Sequence, residues 1–490
     1  MRSIVLWCLC AALARGAVLT KRATIDTCLA NAKVPVDTKG SSTWDDDIEP
    51  FNDRLHYTPA AVAVPTTIDH IRDAVSCAAK SGVKATAKSG GHSYSSLGLG
   101  GEDGHLVIQL NRMYNITLDT TTNIATVQPG ARLGHVANEL WKQGKRAISA
   151  GTCPGVGVSG HALHGGYGMS SHKYGLASDW IVGMTVILAN ATKIHTSATE
   201  RPDLFWAMRG AGSNFGIVAE YEFKTFAAPS EVTYFNINFK WNATTAPGKL
   251  ASLETYTRSM PADLTMRMFG NARSSNLEGM FFGNVAGLKT ALNPLLTSAG
   301  LTLSSATNTT WLDAFKHYAY TSATDPTYPY SAQENFYDKS LTLKGLNGTA
   351  AKAFSDYWFN QGPKNTRNWW FQLDLHGGSN SAVTNGDHSM SSYAHRDKLY
   401  LIQFYDRSFF GAYPSNGFSF LDNWVSNTTA SMARSDWGMY INYADSRLDR
   451  TFAQDAYWGQ NVPRLQAIKA AVDPNELFYY PQSIKPAGSK

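Results

Sequence analysis

The sequence predicts an α+β protein of two domains, and three observations carry that reading. Short apolar strands alternate with helices over 23–228, long stretches of alternating polar and apolar residues follow over 229–450, and 451–490 read as a return to the first domain. In the first domain, Ala61-Val62-Ala63-Val64 reads as a strand closed by Pro65. Thr66 or Thr67 caps a helix in which Ile68, Ile71, Val75 and Ala78 share one face. A second strand over 83–87 completes a βαβ unit that runs into Lys88-Ser89-Gly90-Gly91-His92-Ser93. Strands are expected over 106–110 and 124–127, a helix over 133–141, and two strands, 185–188 and 193–196, about a turn at Asn190. In the second domain the strands are 233–241, 369–375, 400–405 and 437–443, with helices over 313–320 and 349–359. That pattern is a largely antiparallel sheet with helices on one side. The tail reads as a helix and then a strand over 464–480. No internal repeat or low-complexity linker interrupts the chain.

Composition narrows the function. Of 490 residues 43% are hydrophobic, 12% aromatic and 17% charged, a mixture that folds rather than staying disordered. The formal charge of +5 comes largely from the first 22 residues, which hold Arg2, Arg15, Lys21 and Arg22 and no acid. Without them the balance is near neutral, which removes the electrostatic case for a nucleic-acid binder. Those 22 residues read as a signal peptide and propeptide: a charged start, an apolar run from Ile4 to Leu13, small residues for cleavage and a dibasic Lys21-Arg22. The run is too short to span a membrane. Six Asn-x-Thr sequons, at Asn115, Asn190, Asn242, Asn308, Asn347 and Asn427, fit a secreted glycoprotein.

Removal of that leader takes Cys8 and Cys10 and leaves Cys28, Cys77 and Cys153. An odd number in an oxidising compartment leaves one thiol in need of a fate. Cys28 and Cys77 both lie in helix-like segments and can pair. Cys153, in Gly151-Thr152-Cys153-Pro154-Gly155, is either a buried free thiol or bonded to something other than cysteine.

Three familiar patterns fail on their chemistry. Gly155-Val156-Gly157-Val158-Ser159-Gly160 matches the dinucleotide fingerprint, but it follows a polar helix end and a proline rather than a buried strand. The segment around Cys153 has the outline of a nucleophile elbow, yet that elbow uses the N–H of the next residue, and Pro154 has none. His161 and His164 lack a third ligand, so no metal site is expected. The strongest local signal is Ser89-Gly90-Gly91-His92-Ser93-Tyr94, where consecutive glycines after a strand let backbone N–H groups converge on an anion, with Ser89 and Ser93 as added donors.

That segment, with Gly151-Thr152-Cys153-Pro154, Gly165-Gly166-Tyr167-Gly168, Asp203-Leu204-Phe205-Trp206 and Arg209-Gly210, resembles the vanillyl-alcohol-oxidase superfamily of flavoproteins, in its berberine-bridge-enzyme-like branch. Three further stretches narrow the resemblance to fungal glucooligosaccharide oxidases and related carbohydrate oxidases: Trp369 through Gly378, Ala394-His395-Arg396-Asp397 and Asn442-Tyr443-Ala444-Asp445. It covers essentially the whole mature chain.

The resemblance implies a two-domain FAD-linked oxidase fold, with a PCMH-type FAD-binding domain and a substrate domain built on the large antiparallel sheet. It implies one FAD bonded twice, through His92 to the 8α-methyl and through Cys153 to ring carbon 6, with Ser89, Gly90, Gly91 and Ser93 around the pyrophosphate. Val156, three residues after the flavin cysteine, goes with oxidase activity in this branch. The implied reaction is oxidation of an anomeric hydroxyl to a lactone, with O2 reduced to hydrogen peroxide. Tyr443 is the implied base and Asp374 its carboxylate partner. A phenol of ordinary pKa is only about 0.1% ionised at neutral pH, so the pair works as a relay. Alternation on the strand puts Trp370, Gln372, Asp374 and His376 on one face and Phe371, Leu373 and Leu375 on the other. Tyr94, Arg267, Trp370, Gln372, Gln403 and Tyr440 match groove positions for an oligosaccharide. Tyr440 and Tyr443 cannot share a face of a straight strand, so a bulge or turn is required there. Arg267 resembles the arginine of members that take unacetylated sugars, and Phe269 departs from an acidic residue of some relatives. The expected protein is a secreted monomer without nucleic-acid or membrane partners. A berberine-bridge-like oxidase of a secondary-metabolite alcohol is the alternative, and a non-catalytic secreted lectin the rival from another class.

Overall fold

The computed structural model describes residues 24–319 and 333–489. Residues 1–23, which include the expected leader with Cys8 and Cys10, and Tyr320 at the end of an expected helix lie outside them.

The βαβ unit forms as its sequence pattern dictates. Helix Ile68–Ser81 starts where the Thr67 side chain accepts from the His70 N–H and stops at Gly82 in the left-handed conformation. Its Ile71, Ala74, Val75 and Ala78 are fully buried. The flanking strands Ala61–Ala63 and Ala85–Lys88 both pair in parallel with Leu106–Gln109, which lies between them, and Val36–Asp37 closes the edge. A second, antiparallel sheet of five strands runs in the order Ile116–Asp119, Ile124–Val127, Ile217–Lys224, Ile181–Ile187, Lys193–Ser197. Cys28 and Cys77 form a disulfide that ties the first described helix, 24–31, to helix Ile68–Ser81.

The second domain is built on eight strands, ordered Ser305–Thr309, Val232–Asn238, Ser275–Phe281, Leu264–Gly270, Asn368–Leu375, Tyr400–Ser408, Asn335–Leu343, Trp437–Gly438, and every pair is antiparallel. One face is covered by helices. Phe371 and Phe404 pack there against Phe354 of helix Gly348–Asp356 and Trp424 of helix Phe418–Thr429, with ring centroids 5.1–6.2 Å apart. Such edge-to-face contacts among large rings fix the sheet's apolar face. The opposite face, carrying Arg267, Gln372, Asp374 and Gln403, is turned to the first domain.

Two expected strands are shortened or replaced. The one over 437–443 ends at Gly438, because the Tyr440 N–H donates to the Ser340 hydroxyl (2.9 Å) rather than to a strand, and Ile441–Tyr443 close a 3₁₀ turn. The strand expected in the tail after helix Val462–Val472 is a turn. Buried Asp473 accepts from the N–H groups of Leu477 and Phe478 (2.7 and 2.9 Å) and pairs with Lys469 (2.6 Å). These bonds satisfy the backbone that a ladder would have used. The tail does return to the first domain: the Leu477 carbonyl accepts from Ala85, and Leu477 and Phe478 join the core around Ile71 and Val75.

Candidate active site

Two glycine-rich loops meet back to back. A Cβ on Gly90 would lie 2.3 Å from the Gly157 nitrogen, and one on Gly157 would lie 2.2 Å from the Gly90 nitrogen, so neither position admits a side chain. Buried Arg132, at the start of helix Leu133–Gly144, clasps both loops by donating to the carbonyls of Gly90 (3.0 Å) and Gly155 (2.6 Å). This approach leaves His92 Nε2 3.5 Å from Cys153 Sγ. Phe51 stacks on the His92 ring with centroids 3.7 Å apart. Burial, helped by the Arg132 charge, pushes His92 down to about 3, so its imidazole is neutral at physiological pH. Cys153 opens onto a cavity yet is walled in by protein, and that burial raises its thiol pKa. Ser89 donates to the Pro129 carbonyl, and Ser93 accepts from the Leu97 N–H. The Ser89 proton is thus spent within the protein, and the loop's donors toward an anion are its backbone N–H groups and the Ser93 hydroxyl.

The sheet supplies the facing wall in rungs set by register. Arg267 lies opposite Asp374, and the next rung sets Phe269, Gln372, Gln403 and Ser340 side by side. Asp374 is buried, accepts from the Gln372 amide (2.9 Å), and is pushed up to about 6 by burial against the opposing pull of Arg267. Arg267 pairs with Glu278 at 2.6 Å. Gln403 donates to the Tyr94 hydroxyl (3.1 Å).

The third component is the 3₁₀ turn that presents Tyr443. Lys339 pairs with Asp445 (2.6 Å), Ser95 donates to the Ala444 carbonyl (2.8 Å), and Gln482 donates to the Asp445 carbonyl (2.6 Å). The turn is thus pinned by both domains and by the tail. Tyr443 stacks on Tyr94 (5.9 Å) and meets Tyr440 edge-on (5.2 Å). Burial, then the Asp374 charge, hold its phenol well above the usual range. No hydrogen bond joins Tyr443 to Asp374 among the described contacts.

All three components line one cavity, with about 300 Å³ open to the centre of a water-sized molecule. It reaches from the Gly90–Tyr94 loop past Cys153 and His164 to Asp374 and Tyr443. Such a chamber, apolar with a few convergent polar groups, suits a large cofactor and a small substrate.

The family described as FAD binding domain matches residues 59–197, and the one described as Berberine and berberine like matches 439–485. A xylooligosaccharide oxidase of Thermothelomyces thermophilus is 54% identical over 474 residues, covering 95% of each chain. The chain belongs to the berberine-bridge-like carbohydrate oxidases. Among solved structures, a xylooligosaccharide oxidase from Myceliophthora thermophila C1 in complex with xylobiose superposes with a TM-score of 0.94 at 54% identity, over 95% of this chain and all of that one. The glucooligosaccharide oxidase of Acremonium strictum, a protein with 6-S-cysteinyl, 8α-N1-histidyl FAD, superposes at 0.92 with 44% identity, over 95% and 100% of the two chains.

FAD fits the residues present in this oxidase. The close Gly90–Gly157 contact brings His92 and Cys153 together in the wall of the cavity, and a Cβ on either glycine would force the two loops apart. His164 gives its Nδ1 proton to the Gly160 carbonyl (2.8 Å), while its buried Nε2, in the cavity wall, has no hydrogen-bond partner among the described residues. An unpartnered buried acceptor of this kind is costly unless a ligand donor meets it.

Ser89, Gly90, Gly91, His92, Ser93, Tyr94, Cys153, Val156, Arg267, Gln372, Asp374, Gln403, Tyr440 and Tyr443 all line the cavity of this oxidase. Trp370 does not. It sits one rung further out, half-buried and stacked on Tyr405 (4.8 Å). Tyr440 is an anchor as well as a wall, since its hydroxyl accepts from the N–H groups of Gly166 (3.0 Å) and Tyr167 (3.1 Å) and from Asn442 (2.8 Å). His161 accepts from the Gly151 N–H (2.9 Å), a structural bond that steadies the Cys153 loop. No cluster of metal ligands occurs among the described residues. Sequence reading passes over Arg132 and Phe51. A lone arginine within Gly130-Ala131-Arg132-Leu133-Gly134 is the signal that marks the first, and Phe51 has none.

Proposed function

We propose that this oxidase carries FAD bonded to both His92 and Cys153 and oxidises the anomeric C1 hydroxyl of reducing-end oligosaccharides to the lactone. The observation that carries the proposal is the placement of His92 and Cys153, 3.5 Å apart, in the same cavity wall as Tyr443 and Asp374. Bound there, FAD supplies the two-electron acceptor and passes its electrons to O2, so that a C1 hydroxyl and O2 become a lactone and hydrogen peroxide.

The chain's own residues bind the sugar and move its proton. Tyr443 is a neutral phenol at pH 7, so it accepts the O1 proton only by giving up its own. Asp374, with its pKa near 6, is mostly ionised at that pH and is the acceptor at hand. The transfer between them runs through a water or a sugar hydroxyl, since they share no direct hydrogen bond. Gln372 and Gln403 each spend an N–H on Asp374 and Tyr94, which fixes their amides and leaves the carbonyl oxygens to accept sugar hydroxyls. Trp370 and Tyr405, stacked beyond the cavity, suit the next sugar ring. Every residue invoked belongs to one chain, so a monomer suffices. Export is part of the reading: the asparagines of all six sequons are exposed, and the Cys28–Cys77 disulfide suits an oxidising compartment.

Peroxide release against glucose, lactose and cello-, malto-, xylo- and chitooligosaccharides tests the activity. Acid precipitation tests the tether: the flavin should stay with the wild type and with His92→Ala and Cys153→Ala, and leave the double variant. Free FAD in the acid supernatant of the wild type would refute the two bonds.

A further inference from the structure

A second cavity adjoins the first and shares Leu133, Thr152 and Met169 with it. Thr152 precedes Cys153, so part of the shared wall lies next to that cysteine. The second cavity lies between the domains: Val136, Ala137 and Leu140 of helix Leu133–Gly144 line one side, and Trp311 and Phe315 of helix Trp311–Tyr318 line the other, with Met280 behind. Of its polar wall residues, Ser170 is turned to Ser149 (3.2 Å) and the Tyr318 hydroxyl to the Gly279 carbonyl, which leaves Thr152 on the wall shared with the first cavity. It leaves about 30 Å³ for the centre of a water-sized guest, a tenth of the first cavity.

We propose that this apolar cavity is the route and reservoir for O2, the small acceptor of the reaction, while the sugar uses the larger chamber. Its size admits a diatomic molecule and excludes a sugar ring. Its walls offer water few hydrogen bonds, and apolar cavities of this kind stay dry and take up xenon or other apolar guests. The separation has a kinetic use, because a sugar or lactone seated in the chamber then leaves the oxidant's path clear. The proposal rests on the reading of the chain as an FAD oxidase.

Xenon is the probe. Crystals of the wild type pressurised with xenon should hold an atom between Ala137 and Trp311, and crystals of Ala137→Leu should not. Leucine keeps helix propensity while filling the space. In rapid mixing, reoxidation of the reduced flavin by O2 should slow about fivefold in Ala137→Leu, while reduction by sugar and reoxidation by dichlorophenolindophenol change less than about twofold. Ala150→Leu, which fills the cavity from another wall, should behave alike, so that a fault of folding in one variant does not decide the matter. A wild-type cavity empty of xenon would overturn the proposal, as would unchanged O2 reoxidation in both filled variants. Reduced wild-type flavin that O2 does not reoxidise at all would instead overturn the oxidase reading beneath it.

Discussion

The electrostatics of Asp374 set an acid limit on the reaction. Its carboxyl titrates at about 6, raised by burial and held down by Arg267 on the neighbouring strand. A group of that pKa is about 9% ionised at pH 5 and about 91% ionised at pH 7, so kcat/KM should rise about tenfold between them. Arg267→Met removes the cation and should move the midpoint up by about one unit or more. It also leaves Glu278 without its partner, and that second carboxylate pushes Asp374 the same way. The double variant Arg267→Met/Glu278→Gln removes both charges and should bring the midpoint part of the way back. The assay is initial peroxide release at low sugar concentration over about pH 4–9, fitted for the acid limb. Asp374→Asn should lose the limb along with most of the rate. A midpoint that stays in place in Arg267→Met, or a limb that survives Asp374→Asn, would refute the assignment.

Tyr443→Phe keeps the ring and its stacking on Tyr94, and should slow anaerobic flavin reduction by about 10²–10⁴ with flavin content unchanged. Combined with Asp374→Asn it should be little worse than either alone, as groups acting as a unit are. Gly157→Ala places a Cβ 2.2 Å from the Gly90 nitrogen and should leave a folded protein with little bound flavin, read from its absorbance at equal protein concentration. Asp374→Asn should also stabilise the fold. Burial raises the native pKa, so the folded chain holds this proton more tightly than the unfolded one, and the charge destabilises the protein only as pH rises from about 4 to above 6. The gain at pH 7 is of order 3 kcal/mol and vanishes below about pH 4, as urea unfolding at both pH values would show.

What the sequence makes legible here is whatever a short window can encode. The Thr67-capped helix and the Gly-Gly loop after Ala85–Lys88 are local patterns, and alternation along Asn368–Leu375 places Asp374 on the site face without any knowledge of its neighbours. The requirement for a turn between Tyr440 and Tyr443 is equally local, and the 3₁₀ turn meets it. The order of the eight strands is not local: Leu264–Gly270 pairs with a strand about a hundred residues away, and a window holds no trace of that partner. The two failed strands have the same origin. Ser340 draws the Tyr440 N–H out of a ladder, and Asp473 takes those of Leu477 and Phe478. Arg132 escapes for a related reason, since its role depends on carbonyls from loops on both sides of it in the chain.

Sugar oxidation and FAD chemistry share the cavity that joins His92, Cys153, Asp374 and Tyr443. Anaerobic mixing of the purified protein with xylobiose or cellobiose, followed by admission of air, tests it most directly. The flavin absorbance should bleach in a single turnover with one lactone formed per flavin, and air should restore the colour with one hydrogen peroxide per lactone. A flavin that stays oxidised with every reducing-end sugar, yet bleaches with a non-sugar alcohol, would contradict it.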